Sequence, residues 1–363
     1  MIEPYRIEVA PGVIDDLRAR LDATRYPAGV TDSGGLPLGG LQRLVGHWRG
    51  AFDWDAQEAR LNAVPHFIAV LGDVRLHFIH LRADRPGAPA LLLLHGWPGS
   101  FVEFMGVIER LRGSFHLVVP SLPGFTLSPA PGPGMSNARM AEAMAALMSA
   151  LGHERFGVHG GDVGSGVASW MAIRYPERLT GLHLNFIPGS YVPPAEPPPS
   201  VEERDFLVRR GKWTDASGAY AHLQRTRPLT PAYALSDSPA GLAAWIAEKF
   251  AEWTDPRSSV PDDVLLTNVT LYWVTNCIGP SMRLYLESAA TPLRFGPGER
   301  ITVPTGIAHF PHEISFPPRS WVERVYPVTR WTDLPRGGHF AALEEPELLA
   351  AEIAAFFGDV PDR

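Results

Sequence analysis

An aspartate set among glycines opens the chemistry of this chain. Gly160-Gly161-Asp162-Val163-Gly164 follows a short strand-like run, Arg155-Phe156-Gly157-Val158-His159, and precedes Ser165 to Tyr175, which reads as a helix. The pattern G-x-nucleophile-x-G needs small residues on both sides because the turn from strand to helix is sharp and strained. Here a carboxylate stands where esterases carry a serine. It can attack carbon, form an ester and be regenerated when that ester is hydrolysed. Glycine-rich turns with an acidic residue also serve as plain helix N-caps, so the elbow needs partners before it reads as chemistry. Ser165 is a poor serine nucleophile, since Val163 and Val167 occupy the places where an elbow has glycine.

Four further groups supply candidates. His95-Gly96-Trp97-Pro98-Gly99-Ser100 follows a buried apolar run, where a glycine-rich loop can aim a backbone N–H at a developing oxyanion. Trp97-Pro98 is open to a cis bond. Arg336-Gly337-Gly338-His339-Phe340 places a histidine after the last strand, suited to a general base, though the chain holds 13 histidines and a solvated loop residue is the plain reading. Between them Glu313, in Phe310-Pro311-His312-Glu313-Ile314, is the preferred acid to orient His339. Asp333 is the weaker candidate, and Glu344 and Glu345 suit the start of the last helix. Aspartate, then acid, then histidine is the chain order of α/β-hydrolases. Tyrosines supply the fourth group. A phenol stays protonated at neutral pH and can donate to an oxygen gaining charge. Tyr220, Tyr233, Tyr272 and Tyr285 all qualify by position, and sequence pattern does not choose among them.

These residues need a scaffold, and the apolar pattern describes one. Residues 1 to about 60 read as helical, with Val13, Ile14, Leu17 and Leu21 on one face and a second helix around Leu41 to Trp48. Val74 to Leu81 alternates like a half-buried strand. From about residue 90, Leu91-Leu92-Leu93-Leu94 and Leu117-Val118-Val119 are continuous apolar runs, as in strands covered on both faces of a parallel sheet. A helix runs from Ser136 to Gly152 with Met140, Met144, Leu147, Met148 and Leu151 buried. The proline run Pro193 to Pro199 breaks the rhythm, and the chain to about residue 291 looks helical. Strands are expected at Ile301 to Thr305 and Tyr326 to Trp331, then a helix burying Leu348, Leu349, Ile353 and Phe356. Alternating strands and helices indicate an α/β fold with a mostly parallel sheet, interrupted by a helical insertion of the kind that covers an active site.

Bulk properties exclude several classes. The 363 residues are 45% hydrophobic and 20% charged, with a net charge of −7, so no nucleic-acid or anionic-membrane partner is indicated. A single cysteine, Cys277, excludes an internal disulfide and suits a reducing compartment. The N-terminus shows neither a signal peptide nor a membrane anchor, and a cytoplasmic protein is expected.

Taken together, His95 to Ser100, Gly160 to Ser165, Ser281-Met282-Arg283-Leu284-Tyr285 and Arg336 to Ala342 resemble the signatures of microsomal-type epoxide hydrolases, a group that includes the juvenile hormone epoxide hydrolases. Trp54-Asp55-Ala56-Gln57-Glu58-Ala59-Arg60-Leu61-Asn62 resembles the helical extension peculiar to that group. The resemblance spans nearly the whole chain. It implies an α/β-hydrolase fold with a helical cap and an N-terminal helical extension. Asp162 would be the nucleophile, His339 the base, Glu313 the acid, Tyr220 and Tyr285 the epoxide-oxygen donors, and the N–H groups of Trp97 and Val163 the oxyanion hole. Animal microsomal members begin with a membrane anchor, and no such anchor is expected here.

The expected division is 1–89 as an N-terminal extension wrapping the core, 90–187 and 292–363 as the core, and 188–291 as the cap. The expected reaction turns an epoxide and water into a vicinal diol through an aspartyl ester, without metal or organic cofactor. Trp97, Trp170, Trp245, Trp253 and Trp273 permit an apolar substrate, aryl epoxides included. A haloalkane or haloacid dehalogenase also uses an elbow aspartate, but often with tryptophan or arginine after it, where this chain has Val163. A non-catalytic binding protein of the same fold is the other alternative, and a homodimer is left open.

Overall fold

The computed structural model describes residues 1–29 and 34–359. Its first part comprises β1 (Ile2–Tyr5), α1 (Pro11–Asp22), α2 (Leu38–Gly50), α3 (Trp54–Leu61), β2 (His66–Leu71) and β3 (Val74–Leu81). The alternating core follows as β4 (Ala90–Leu94), α4 (Met105–Leu111), β5 (His116–Pro120), α5 (Asn137–Ala150), β6 (Phe156–Gly160), α6 (Asp162–Arg174) and β7 (Leu179–Leu184). Six helices come next: α7 (Val201–Ser217), α8 (Ala219–Thr226), α9 (Leu229–Asp237), α10 (Pro239–Trp253), α11 (Asp262–Val274) and α12 (Ile278–Ala289). The chain then returns to the sheet with β8 (Thr305–His309), α13 (Arg319–Glu323), β9 (Val328–Asp333), α14 (Ala341–Glu344) and α15 (Pro346–Asp359).

Nine strands form one sheet in the order β1-β2-β3-β5-β4-β6-β7-β8-β9. The strands from β5 through β9 run parallel, and β1, β2 and β3 extend the sheet antiparallel at the β5 edge. Every residue of β4 and β6 is buried, because helices cover both faces. With the parallel strands pointing one way, the loops after β4, β6, β7, β8 and β9 gather at one rim. That rim is where open α/β sheets place their chemistry.

Several boundaries depart from the sequence expectation. The segment read as helical to about residue 60 begins with β1, a four-residue edge strand too short to show a period. Strands β2 and β3 also belong to the core sheet, so the part before residue 90 extends that sheet as well as adding helices to it. Val13 is exposed, while Ile14, Leu17 and Leu21 form the buried stripe of α1. The strand expected at Ile301 to Thr305 begins only at Thr305, and the one expected from Tyr326 begins at Val328. Pro304 and Pro327 lack the N–H a ladder needs, so each precedes its strand and offers only its carbonyl. Strand β8 was hidden by its own small residues: a Cβ at Gly306 would sit 2.6 Å from the Phe356 ring. Among the described residues, no helix is long and apolar enough to cross a membrane.

Candidate active site

The turn from β6 into α6 is dictated by what its glycines make room for. A Cβ at Gly160 would run into the Gly164 carbonyl, and one at Gly164 into the carbonyls of Leu94 and His95. Asp162 heads α6 with φ +43°, a left-handed conformation costing a non-glycine residue about 1–3 kcal/mol. The sharp turn lifts its carboxylate above the rim.

Two loops close on that carboxylate. After β4, the loop of His95 to Ser100 carries a cis Trp97-Pro98 bond and brings the Trp97 N–H to Asp162 Oδ1 at 2.7 Å. The Val163 N–H also donates to the carboxylate. Burial raises the Asp162 carboxyl above the usual range, against the opposing pull of His339 and these two N–H groups. From the loop after β9, His339 Nε2 lies 3.6 Å from Asp162 Oδ2, and Nδ1 lies 2.7 Å from Glu313 Oε1. A parallel bridge between His312 and Gly338 sets this pair one residue further along each loop. The His339 N–H donates to the Trp253 carbonyl at 3.0 Å, and the rings of Trp253 and Phe186 meet the imidazole edge-on.

The other acids take other work. Asp333 bonds His309 Nδ1 at 2.8 Å, away from His339. Glu345 pairs with Arg336. Glu344, expected to serve the dipole of the last helix, instead accepts the N–H groups of Gly338 (2.8 Å), Phe340 (2.9 Å) and Asp255 (2.8 Å), and so shapes the histidine loop.

Charge distinguishes His339 from the histidines of the core. Burial pulls His77 and His159 well below the usual value and His95 to about 4. His339 is also penalised by burial, but the carboxylates of Glu313, Asp162 and Glu103 carry it up to about 9. The charged imidazole is thus favoured beside these carboxylates.

The structure also separates the four tyrosines. Tyr220 on α8 and Tyr285 on α12 have rings 6.2 Å apart, stacked on Trp97 (5.3 Å) and edge-on to it (5.8 Å) respectively. Burial raises both phenols, the Asp162 charge adds to the rise, and the two share a hydrogen bond. They remain donors at any ordinary pH. Tyr272 is spent on the Gly99 carbonyl at 2.9 Å, and Tyr233 is 71% exposed. The phenol pair and Asp162 border a cavity of about 1070 Å³ lined also by Phe186, Trp213 and Trp321. Of the five tryptophans said to permit an apolar pocket, Trp97 stands beside Tyr220 and Trp253 beside His339, while Trp213 and Trp321 give the cavity its indoles. Among the described residues no cluster of three or more His, Cys, Asp or Glu side chains could hold a metal ion.

Comparison with known proteins gives this geometry a family. Residues 2–104 match the family model described as epoxide hydrolase N terminus, and residues 89–214 match that of the alpha/beta hydrolase fold. Epoxide hydrolase 1 of Oryctolagus cuniculus is 35% identical over 98% of this chain and 89% of its own length. The chain belongs to the epoxide hydrolase family. Among solved structures, Aspergillus niger epoxide hydrolase superimposes with a TM-score of 0.90 at 32% identity, covering 99% of this chain and 97% of that one. Juvenile hormone epoxide hydrolase of Bombyx mori gives 0.89 at 28% identity, covering 99% and 95%. This epoxide hydrolase therefore takes an epoxide and water as substrates.

Sequence reading passed over two residues of the site. Glu103 follows Ser100 in a Ser-x-x-Glu capping pattern, which was visible but points only to a helix start. Asn185, after β7, carries no motif.

Proposed function

We propose that this epoxide hydrolase opens its substrate through an ester on Asp162, with α7 to α12 acting as the cap over the reaction. Asp162 attacks one ring carbon, and the carbon–oxygen bond breaks as the ring oxygen gains charge between the phenols of Tyr220 and Tyr285. The ring oxygen takes up one proton, matched by the one the His339 imidazolium gives up as the Asp162 charge disappears, and the product of this step is a hydroxyalkyl ester. With its negative charge consumed, Asp162 no longer adds to the pull that keeps His339 an imidazolium, and the neutral His339, oriented by Glu313, takes a proton from water. The water oxygen adds to the ester carbonyl while the Trp97 and Val163 N–H groups hold the oxyanion. Collapse releases the diol, which receives the proton from His339, and the water's second proton, left on the Asp162 carboxyl, restores the imidazolium as the Asp162 carboxylate returns carrying one water oxygen.

One observation carries this reading: the Asp162 carboxylate lies between the Trp97 N–H on Oδ1 and His339 on Oδ2, with two protonated phenols lining a cavity it borders. The aromatic lining favours an apolar epoxide, aryl epoxides included. The single, buried cysteine suits the cytoplasm.

The test is single-turnover hydrolysis of styrene oxide in heavy-oxygen water with enzyme in excess. The first diol should carry no label, Asp162 should acquire it, and later diols should receive it from Asp162. Label passing directly from water to the first diol would sink the ester mechanism.

A further inference from the structure

Asp162 borders two cavities. Tyr220 and Tyr285 line the large one, where the epoxide enters. A second, small cavity of about 20 Å³ also borders Asp162, lined by Glu103, Asn185, His339 and Gly161. That volume admits one water molecule, and the wall offers the polar partners a buried water needs. We propose that Glu103 holds the hydrolytic water in this cavity, accepting a hydrogen bond from one O–H while His339 Nε2 removes the proton of the other. The inference rests on the aspartyl-ester reading and assigns the water a cavity separate from the substrate's.

The chain is arranged to put a carboxyl group there. Glu103 lies in the 3-10 turn Phe101–Phe104 after the β4 loop, and its side chain folds back to accept the N–H groups of Ser100 and Gly96. A Cβ at Gly99 would fall on the Glu103 carboxyl oxygen, so glycine at this position keeps the space open. Capping explains the fold-back. It does not explain why the group shares a cavity with both Asp162 and His339.

Around it stand Asp162 and His339 across the cavity, His95 and His159 in the wall, and Tyr272 from α11. Burial keeps His95 and His159 neutral and Tyr272 protonated. Burial also pushes the Glu103 carboxyl up to about 8, the Asp162 charge adding to the rise and His339 opposing it. Alkylation turns Asp162 into a neutral ester, which removes that repulsion, and the Glu103 carboxyl, protonated or not, keeps an oxygen that can accept the water's O–H. The same carboxylate raises the basicity of His339.

Glu103→Gln tests this, because glutamine preserves the capping pattern and hence the local fold. Alkylation and ester hydrolysis of styrene oxide are followed separately by rapid quench and intact mass, across pH 6 to 10. Alkylation should stay within roughly threefold of wild type, while ester hydrolysis slows on the order of 100-fold, as for a misplaced reactant, and the adduct accumulates. The midpoint of the hydrolysis pH profile should move down, because His339 loses a neighbouring negative charge; Glu103→Asp should restore the wild-type midpoint. An unchanged hydrolysis rate, or equal losses in both steps with no shift of midpoint, would overturn the role of Glu103. A wild-type enzyme that forms diol without any adduct would instead overturn the ester reading itself.

Discussion

Below Asp162 the backbone is held by the absence of side chains. Above it, the two tyrosines are held by side chains packed between helices. At the elbow, Gly160 and Gly164 press against neighbouring carbonyls and amides with no room for a methyl group. In the helical layer, α8 and α12 pack together, and α11 and α12 reach the core through separate fastenings: Asn268 to the Pro98 carbonyl, Tyr272 to the Gly99 carbonyl, Arg283 to the Pro131 carbonyl, and Glu287 to the Gly134 N–H. A clash between backbone atoms is all-or-none. A fastening among several is graded, so changes to the floor should abolish the enzyme and changes to the roof should retune it.

The largest effect therefore belongs to Gly164→Ala. Its Cβ would overlap the Leu94 carbonyl, and neither strand β4 nor helix α6 can retreat without opening the fully buried core around them. We expect a loss of about 4 kcal/mol or more, seen as insoluble protein or a melting temperature far below wild type. A protein that melts normally and retains its turnover would refute the steric account of the floor.

Next come the phenols. Tyr220→Phe and Tyr285→Phe each remove one donor while leaving the stack on Trp97 in place. Each should slow alkylation on the order of 100-fold and leave ester hydrolysis nearly unchanged, since the second step does not use them. The double variant should lose more than either alone, but less than the product, because the two phenols are hydrogen-bonded to each other. A single substitution that slowed only ester hydrolysis would contradict the place given to the pair.

The same division governs what could be read from the chain. The elbow, the His95 loop and the His339 loop were legible because each is a local rule: glycine where backbone must approach backbone, and a loop at the end of an apolar run. Glu313 was legible through order along the chain, and the His312–Gly338 bridge shows the physical basis, since parallel neighbours bring equivalent loops together. Strands β1, β2 and β7 were missed. Strand β7 reads Leu179-Thr180-Gly181-Leu182-His183-Leu184, and its glycine exists to admit the rings of Phe356 and Phe357, a need that arises only from the fold. In the roof, four tyrosines looked alike because what separates them is burial and partner. Tyr233 faces solvent and Tyr272 is already bonded, facts that no period encodes. Glu103 lies between the two cases: its capping pattern was written locally, while the cavity it faces is a product of packing.

Asn268→Ala should give the smallest effect and sharpen the contrast most. Asn268 is buried and donates to the Pro98 carbonyl at 2.8 Å, but its own Oδ1 has no partner. Removing the side chain leaves one carbonyl unpaired, a cost of roughly 1–3 kcal/mol, and also removes one unsatisfied oxygen, which offsets part of it. The net should be near 1 kcal/mol, a modest drop in melting temperature. Turnover should stay within about threefold of wild type, because Tyr272 still holds Gly99 and the Trp97 N–H is aimed by the β4 loop itself. If Asn268→Ala instead cost as much activity as a lost phenol, the roof would be setting the geometry of the floor, and the two regions would have to be treated as one device.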